Sequence, residues 1–225
     1  MVGRLVKLVM GIAVMGGYCI GYVNSADASR PKSATPPPKS DKKDPSPDEE
    51  KKAEKAVRDM FGELRALAAQ DDRGLRALIV KYMDLRGIAQ RLGGDPENPE
   101  LIEALTLYIV GQFDTWVRPY IGQYKLQYVR VIKRIGPAWK VQASFEGSGD
   151  PVKMEMLITG ECKLAETMTA SVHLIGAVGT RAQAKYKAAG IAREDTDGHT
   201  KALIPLLNEL RGGQQQLGGK GGDGK

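Results

Sequence analysis

From residue 46 onward, apolar positions recur with the period of a helix. Ser46 offers an N-cap, Pro47 takes the first helical position and Glu49 falls where a capping box closes. Ala53, Ala56, Val57, Met60, Phe61, Leu64, Leu67 and Ala68 then keep one face apolar. A second helix is predicted after Asp72, through Leu75, Leu78, Ile79, Tyr82 and Met83. A short third follows Asp84, carries Leu85, Ile88, Ala89 and Leu92, and stops at Gly93. Asn98-Pro99 opens the longest helix. Its stripe runs Leu101, Ile102, Leu105, Tyr108, Ile109, Phe113, Trp116, Val117 and Tyr120. Pro119 has no N–H to donate and is expected to kink it, and Gly111 and Gly122 weaken it further.

The period then changes to two. Leu126 to Arg134 is a strand candidate. Trp139, Val141, Ala143 and Phe145 alternate with Lys140, Gln142, Ser144 and Glu146. After the turn Gly147-Ser148-Gly149-Asp150, Val152, Met154, Met156 and Ile158 alternate with polar residues. Lys163 to Ile175 is a further strand region, and helices close the chain at about Thr180 to Ala189 and Lys201 to Leu210. Helices, then antiparallel strands with one wet face, then helices predict an α+β domain with the helices gathered on one face of the sheet.

The rest of the chain reads differently. Arg4 and Lys7 precede the apolar run Leu8 to Val23, and Ala26 and Ala28 form an A-x-A site, the pattern of a secretory signal peptide over residues 1–28. An uncleaved membrane anchor is the competing reading, because Leu5 to Val23 is 19 residues, just enough to span a bilayer. Lipidation at Cys19 fits less well, since Tyr18 stands where lipoprotein signals want a small residue. Each reading puts the remainder outside the cytoplasm. Residues 29–46, rich in proline and lysine, read as a disordered tether. Residues 212–225, rich in glycine, read as an unfolded tail. The folded domain is thus expected over residues 47–211.

The net charge of +6 is spread over tether and strand faces, which is weak support for nucleic acid and suits an anionic membrane surface as well. Once a signal is removed Cys162 stands alone, so no disulfide framework forms. His173 and His199 have no HExxH or CxxC company, and no GxSxG elbow occurs. Ser171 and His173 neighbour each other on a strand and are not read as a nucleophile and its base. No catalytic residue, metal site or cofactor is expected, and a binding protein is favoured over an enzyme. Arg130, Lys133 and Arg134 cluster near the first strand, as a solvated strand edge or as a headgroup contact.

The stretch Phe113 to Tyr124 holds four aromatics around Pro119 and almost no chemistry. It reads either as a core stripe or as the wall of an apolar cavity. Four places decide how it is weighted. Met83 to Gly94 (MDLRGIAQRLGG) is an aspartate-led helix with a leucine-glycine stop. Phe113, Val117 and Tyr120 precede Gly122-Gln123. The strand meander follows, and Gly179 and Gly198 flank the closing helices, the last with ALIPLLNEL. In these respects residues 50–211 resemble the MlaC-type periplasmic phospholipid-binding proteins, the toluene-tolerance auxiliary family of MCE-type ABC transporters. Two places depart from that pattern. Val172-His173-Leu174 stands where the family often has an aromatic-aspartate pair, and the region from Gly179 to Gly198 is unusually polar.

The resemblance implies a helical layer on a curved, twisted, mainly antiparallel sheet that encloses an apolar cavity for phospholipid acyl chains. It implies lipid-lining roles for Phe113, Trp116, Val117 and Tyr120 from the helix. From the sheet it implies them for Trp139, Val141, Phe145, Met154, Met156 and Ile158, on whichever face is concave. Arg130 and Lys133 become headgroup contacts. A monomeric periplasmic shuttle follows, passing lipid between an outer-membrane lipoprotein complex and an inner-membrane MCE-type ABC transporter, with no nucleic acid and no bond made or broken. The alternative is an inner-membrane-tethered α+β scaffold or assembly subunit with no lipid cargo.

Overall fold

The computed structural model describes residues 47–67, 71–147, 151–169 and 172–218. Helix α1 (Pro47–Ala66) starts on its proline and carries Asp48, Glu49 and Glu50 in the first turn, where carboxylates meet the positive end of the helix dipole. Ser46, its expected cap, lies outside the described residues. Helix α2 (Asp72–Tyr82) is capped by Asp71, whose carboxylate accepts from the Gly74 N–H at 2.7 Å. Helix α3 (Leu85–Arg91) is capped the same way by Asp84, at 3.0 Å from the Gly87 nitrogen. A Cβ on Gly87 would stand 2.1 Å from that carboxylate, so the aspartate-led turn needs its glycine.

Helix α4 (Pro99–Trp116) has Asn98 as N-cap and Val117 as C-cap. Pro119 does not bend one long helix. The chain breaks, and a single turn, α5 (Arg118–Ile121), restarts with Pro119 near its beginning, where a missing N–H leaves no bond unmade. The break is tied down by Arg118, largely buried, which pairs with Asp114 at 3.1 Å and with Asp72 of α2 at 3.0 Å. This accounts for the charged residues inside an otherwise aromatic stretch.

Strands β1 (Lys125–Ile135), β2 (Ala138–Glu146), β3 (Val152–Ile158), β4 (Leu164–Thr169) and β5 (Val172–His173) pair antiparallel in chain order. Gly136-Pro137 joins the first two, and the glycine takes a φ of 57°, which suits the first central position of a tight primed turn. Val141 lies between Val131 and Met156, and Ala143 between Val129 and Met154. Trp139 lies beside Ile158, and Phe145 between Leu126 and Val152. Directly opposed residues share a face, so these side chains form one apolar surface.

Helix α1 lies across β1 and β2. Helix α4 packs against α2, α3 and α7 (Thr196–Gly218), while α6 (Leu174–Ala189) meets β4 and α7. One apolar cluster runs from α1 through the sheet to α7, and Ser46–Lys225 forms a compact unit around it, with the core a domain needs to fold alone.

Three boundaries differ from expectation. The strand region expected over Lys163 to Ile175 ends at His173, and α6 begins at Leu174 instead of near Thr180. The reason is Glu166 on β4, whose carboxylate accepts from the Ile175 and Gly176 N–H groups at 3.0 Å each and caps the helix from a distant strand. Helix α7 starts before Lys201 because Asp195 accepts from the Gly198 N–H at 2.8 Å. It then passes Pro205 and continues to Gly218, into the segment read as an unfolded tail. Gln214, Gln215, Gln216 and Leu217 are good helix formers and carry it past Gly212-Gly213.

Candidate functional site

The sheet candidates come together on the face that α1 covers. Trp139, Val141, Phe145, Met156 and Ile158 are buried there and Met154 is half-buried. The Phe145 ring meets Phe61 of α1 edge-on, with centroids 4.7 Å apart. Phe113 belongs to the same cluster and Val117 packs half-buried against it. The side chains of Trp116 and Tyr120 lie outside the described residues. The register therefore settles which sheet face is apolar.

Arg130 and Lys133 are placed elsewhere. They pair with Gln142 and Lys140, on the opposite face of the sheet. Arg130 bonds the Gln142 side-chain oxygen at 2.9 Å and lies over the Tyr128 ring.

Buried apolar side chains from the helices and the sheet form one cluster between the two layers. At its margin is an apolar recess lined by Ala56, Val57 and Met60 of α1, Tyr82 of α2, Ile158 of β3, Cys162 of the β3–β4 turn and Leu164 of β4. Its empty space, about 160 Å³ with the adjoining open solvent included, is too narrow for a water molecule, so it is a seam and not an open chamber. The turn that borders it is held by three contacts. Thr159 N–H donates to the Lys163 carbonyl at 2.8 Å, Cys162 N–H to the Thr159 carbonyl at 2.9 Å, and Lys163 N–H to the Thr159 hydroxyl at 3.2 Å. Cys162 takes a φ of 61°, which aims a half-buried thiol at the seam.

Polar groups gather at the rim. The Tyr82 hydroxyl donates to Glu63 at 2.7 Å, and Lys81 reaches the same carboxylate at 2.6 Å. The hydrogen bond from Lys81, then that from Tyr82, holds Glu63 below its ordinary pKa, while burial pushes Tyr82 up. The Lys163 ammonium donates to the Lys81 carbonyl. Tyr82 thus has an apolar body in the seam and a wet polar tip. Lys81 is thus neutralised by Glu63, and Lys163 adds a cation beside the apolar slot.

A second buried polar group lies far along the chain. His199 stacks on Tyr186 at 4.1 Å, its Nδ1–H donating to the Gly93 carbonyl at 3.1 Å, and the Tyr186 hydroxyl donates to the Leu92 carbonyl at 2.8 Å. These contacts fasten the end of α3 to α6 and α7. Among the described residues no three His, Cys, Asp or Glu side chains converge as a metal site.

Of the seam residues, only Ile158 was among the lining expected from sequence. Ala56, Val57 and Met60 were visible as a helical stripe and Tyr82 as part of another. Nothing local showed that the two stripes would meet the β3–β4 turn.

A helical layer on one face of an antiparallel meander, with an apolar seam at the helix–sheet margin, defines an α+β fold. No protein-family model matches the chain, and no curated protein matches it in sequence. In structure it is similar to a phospholipid-binding protein from Ralstonia solanacearum, solved in complex with a phospholipid. The TM-score is 0.54 at 12% sequence identity, over 74% of this chain and 98% of that one. The α+β fold expected from sequence is therefore shared with a protein that binds phospholipid.

Proposed function

We propose that this chain binds phospholipid, with the acyl chains entering between α1 and the sheet at the seam lined by Met60, Tyr82, Ile158 and Cys162. The observation that carries the reading is the shared fold with a phospholipid-bound protein, joined to an apolar seam at the helix–sheet margin with Lys163 beside it. Ligand pockets usually measure about 300 Å³ or more, so the seam must widen for an acyl chain. Each buried CH₂ contributes about 0.8 kcal/mol toward that opening. Met60, Met154 and Met156 around the path are flexible enough to repack.

In this reading the protein is a soluble periplasmic carrier between an outer-membrane complex and an inner-membrane MCE-type transporter, without catalysis. Support for that cellular role is the sequence resemblance over residues 50–211. The narrowness of the seam favours a second reading, a tethered scaffold with no cargo. Uptake separates the two. Residues 46–225 are mixed with vesicles holding a phospholipid that carries a fluorophore on its acyl chain and a quencher in the bilayer. A carrier raises the fluorescence by extracting lipid, and a scaffold leaves it unchanged.

A further inference from the structure

Edge strand β1 carries a surface that neither the core nor the seam uses. Its free edge is covered at the middle by α1, because Glu54 accepts from the Val131 N–H at 3.0 Å and Arg58 donates to the Val129 carbonyl at 3.2 Å. Beyond that point the strand runs to the β1–β2 turn uncovered. The register skips between Val131 and Lys133, so Ile132 is the extra residue of a bulge. Ile132 is 41% exposed and Ile135 44% exposed, two of the three large hydrophobics that stand out on the described surface.

Basic residues surround them. Arg130 and Lys133 are exposed on the same sheet face as Ile135, and Arg134 lies at the strand end over the Trp139 ring. None of the three has an ion-pair partner among the described residues, whereas Lys140 beside them is paired with Glu155 at 2.6 Å. Protection of an edge strand accounts for a bulge and a lysine. It does not account for two isoleucines left in water beside free cations. That combination suits the boundary between anionic headgroups and acyl chains, where cations meet phosphate and apolar side chains enter the hydrocarbon margin.

We propose that the β1–β2 hairpin end, through Ile132, Ile135, Lys133 and Arg130, docks the protein on an anionic lipid surface. The cross-strand pair Trp139 and Ile158 puts the hairpin end and the seam at the same end of the sheet, on opposite faces. The proposal deepens the lipid-binding reading, since a carrier must meet a bilayer, but the surface exists whether or not the seam takes lipid.

The test is flotation of residues 46–225 with phosphatidylglycerol-rich vesicles and with phosphatidylcholine vesicles. The protein is expected to float with the anionic vesicles only, and less in high salt. Lys133→Ser is expected to lower the partition about fivefold. Ile132→Ser with Ile135→Ser is expected to lower it about tenfold. Circular dichroism confirms that each variant is folded, and two independent variants guard against one failing to fold. A protein that stays unbound, that floats equally with both vesicle types, or whose variants float like the parent overturns the docking surface. Flotation without acyl-chain uptake contradicts the lipid-binding reading alone, and uptake without flotation contradicts only the dock.

Discussion

Ala56→Phe places a ring in the seam and tests it as the route for an acyl chain. Ala56 stands half-buried on α1, one turn before Met60, and borders the space of about 160 Å³. A phenyl ring entering that space occupies the length of about four methylenes of a bound chain. At about 0.8 kcal/mol for each, the variant loses about 3 kcal/mol of lipid binding, roughly a hundredfold. The seam is too narrow for water, so the ring must part its walls, and stability should fall by about 1–3 kcal/mol while the fold is kept. Two assays on the same sample decide it: retention of an acyl-labelled phospholipid, and urea unfolding. Undiminished retention in a folded variant would show that lipid does not pass here. A variant that no longer unfolds cooperatively would show walls that cannot part, and the seam would then be no entrance at all.

Three further outcomes are expected. Gly93→Ala forces a side chain onto a φ of 87° and sets its Cβ 2.8 Å from the His199 imidazole, so urea unfolding should show a loss of about 2 kcal/mol or more. Glu166→Ala removes the acceptor for two N–H groups of α6 and should cost about 1–2 kcal/mol in the same assay, with amide exchange quickened at Ile175 and Gly176. Burial pushes the Tyr108 hydroxyl from 10.0 up to about 12, against a smaller pull from Arg181. The unfolded chain then loses this proton before the folded one does, so stability is intact below pH 10 and falls as pH rises toward about 12, by up to about 3 kcal/mol. Tyr108→Phe should flatten that slope, and equal slopes for parent and variant would refute the assignment.

Much of the fold was legible because its signals are local. The alternation from Trp139 to Phe145 and from Val152 to Ile158 marked both strands, and the cross-strand register settled the face they bury. Asp84, Gly93 and Asn98-Pro99 act on their own neighbours, so α3 and the start of α4 were visible from composition alone. The start of α6 was not, because Glu166 caps it from another strand and His173 offers no side-chain bond. Pro119 announced a disturbance, but nothing local showed that Arg118 beside it would pair with Asp72 in another helix. The candidate site was legible only in part for the same reason. The sheet stripe was readable, whereas the seam is made where α1, α2 and the β3–β4 turn converge, with one parallel bridge between Met83 and Leu164 joining two of them. Arg130 and Lys133 were identified as a basic cluster, yet strand parity alone left open which face they shared with the aromatics.

The central claim is that the folded unit holds phospholipid. The most direct measurement is lipid mass spectrometry on residues 29–225, produced with export, purified without detergent and extracted with organic solvent. The account predicts near-stoichiometric phospholipid in the extract, reduced sharply in Ala56→Phe. A stable, folded protein whose extract contains no phospholipid would contradict it and leave the tethered scaffold.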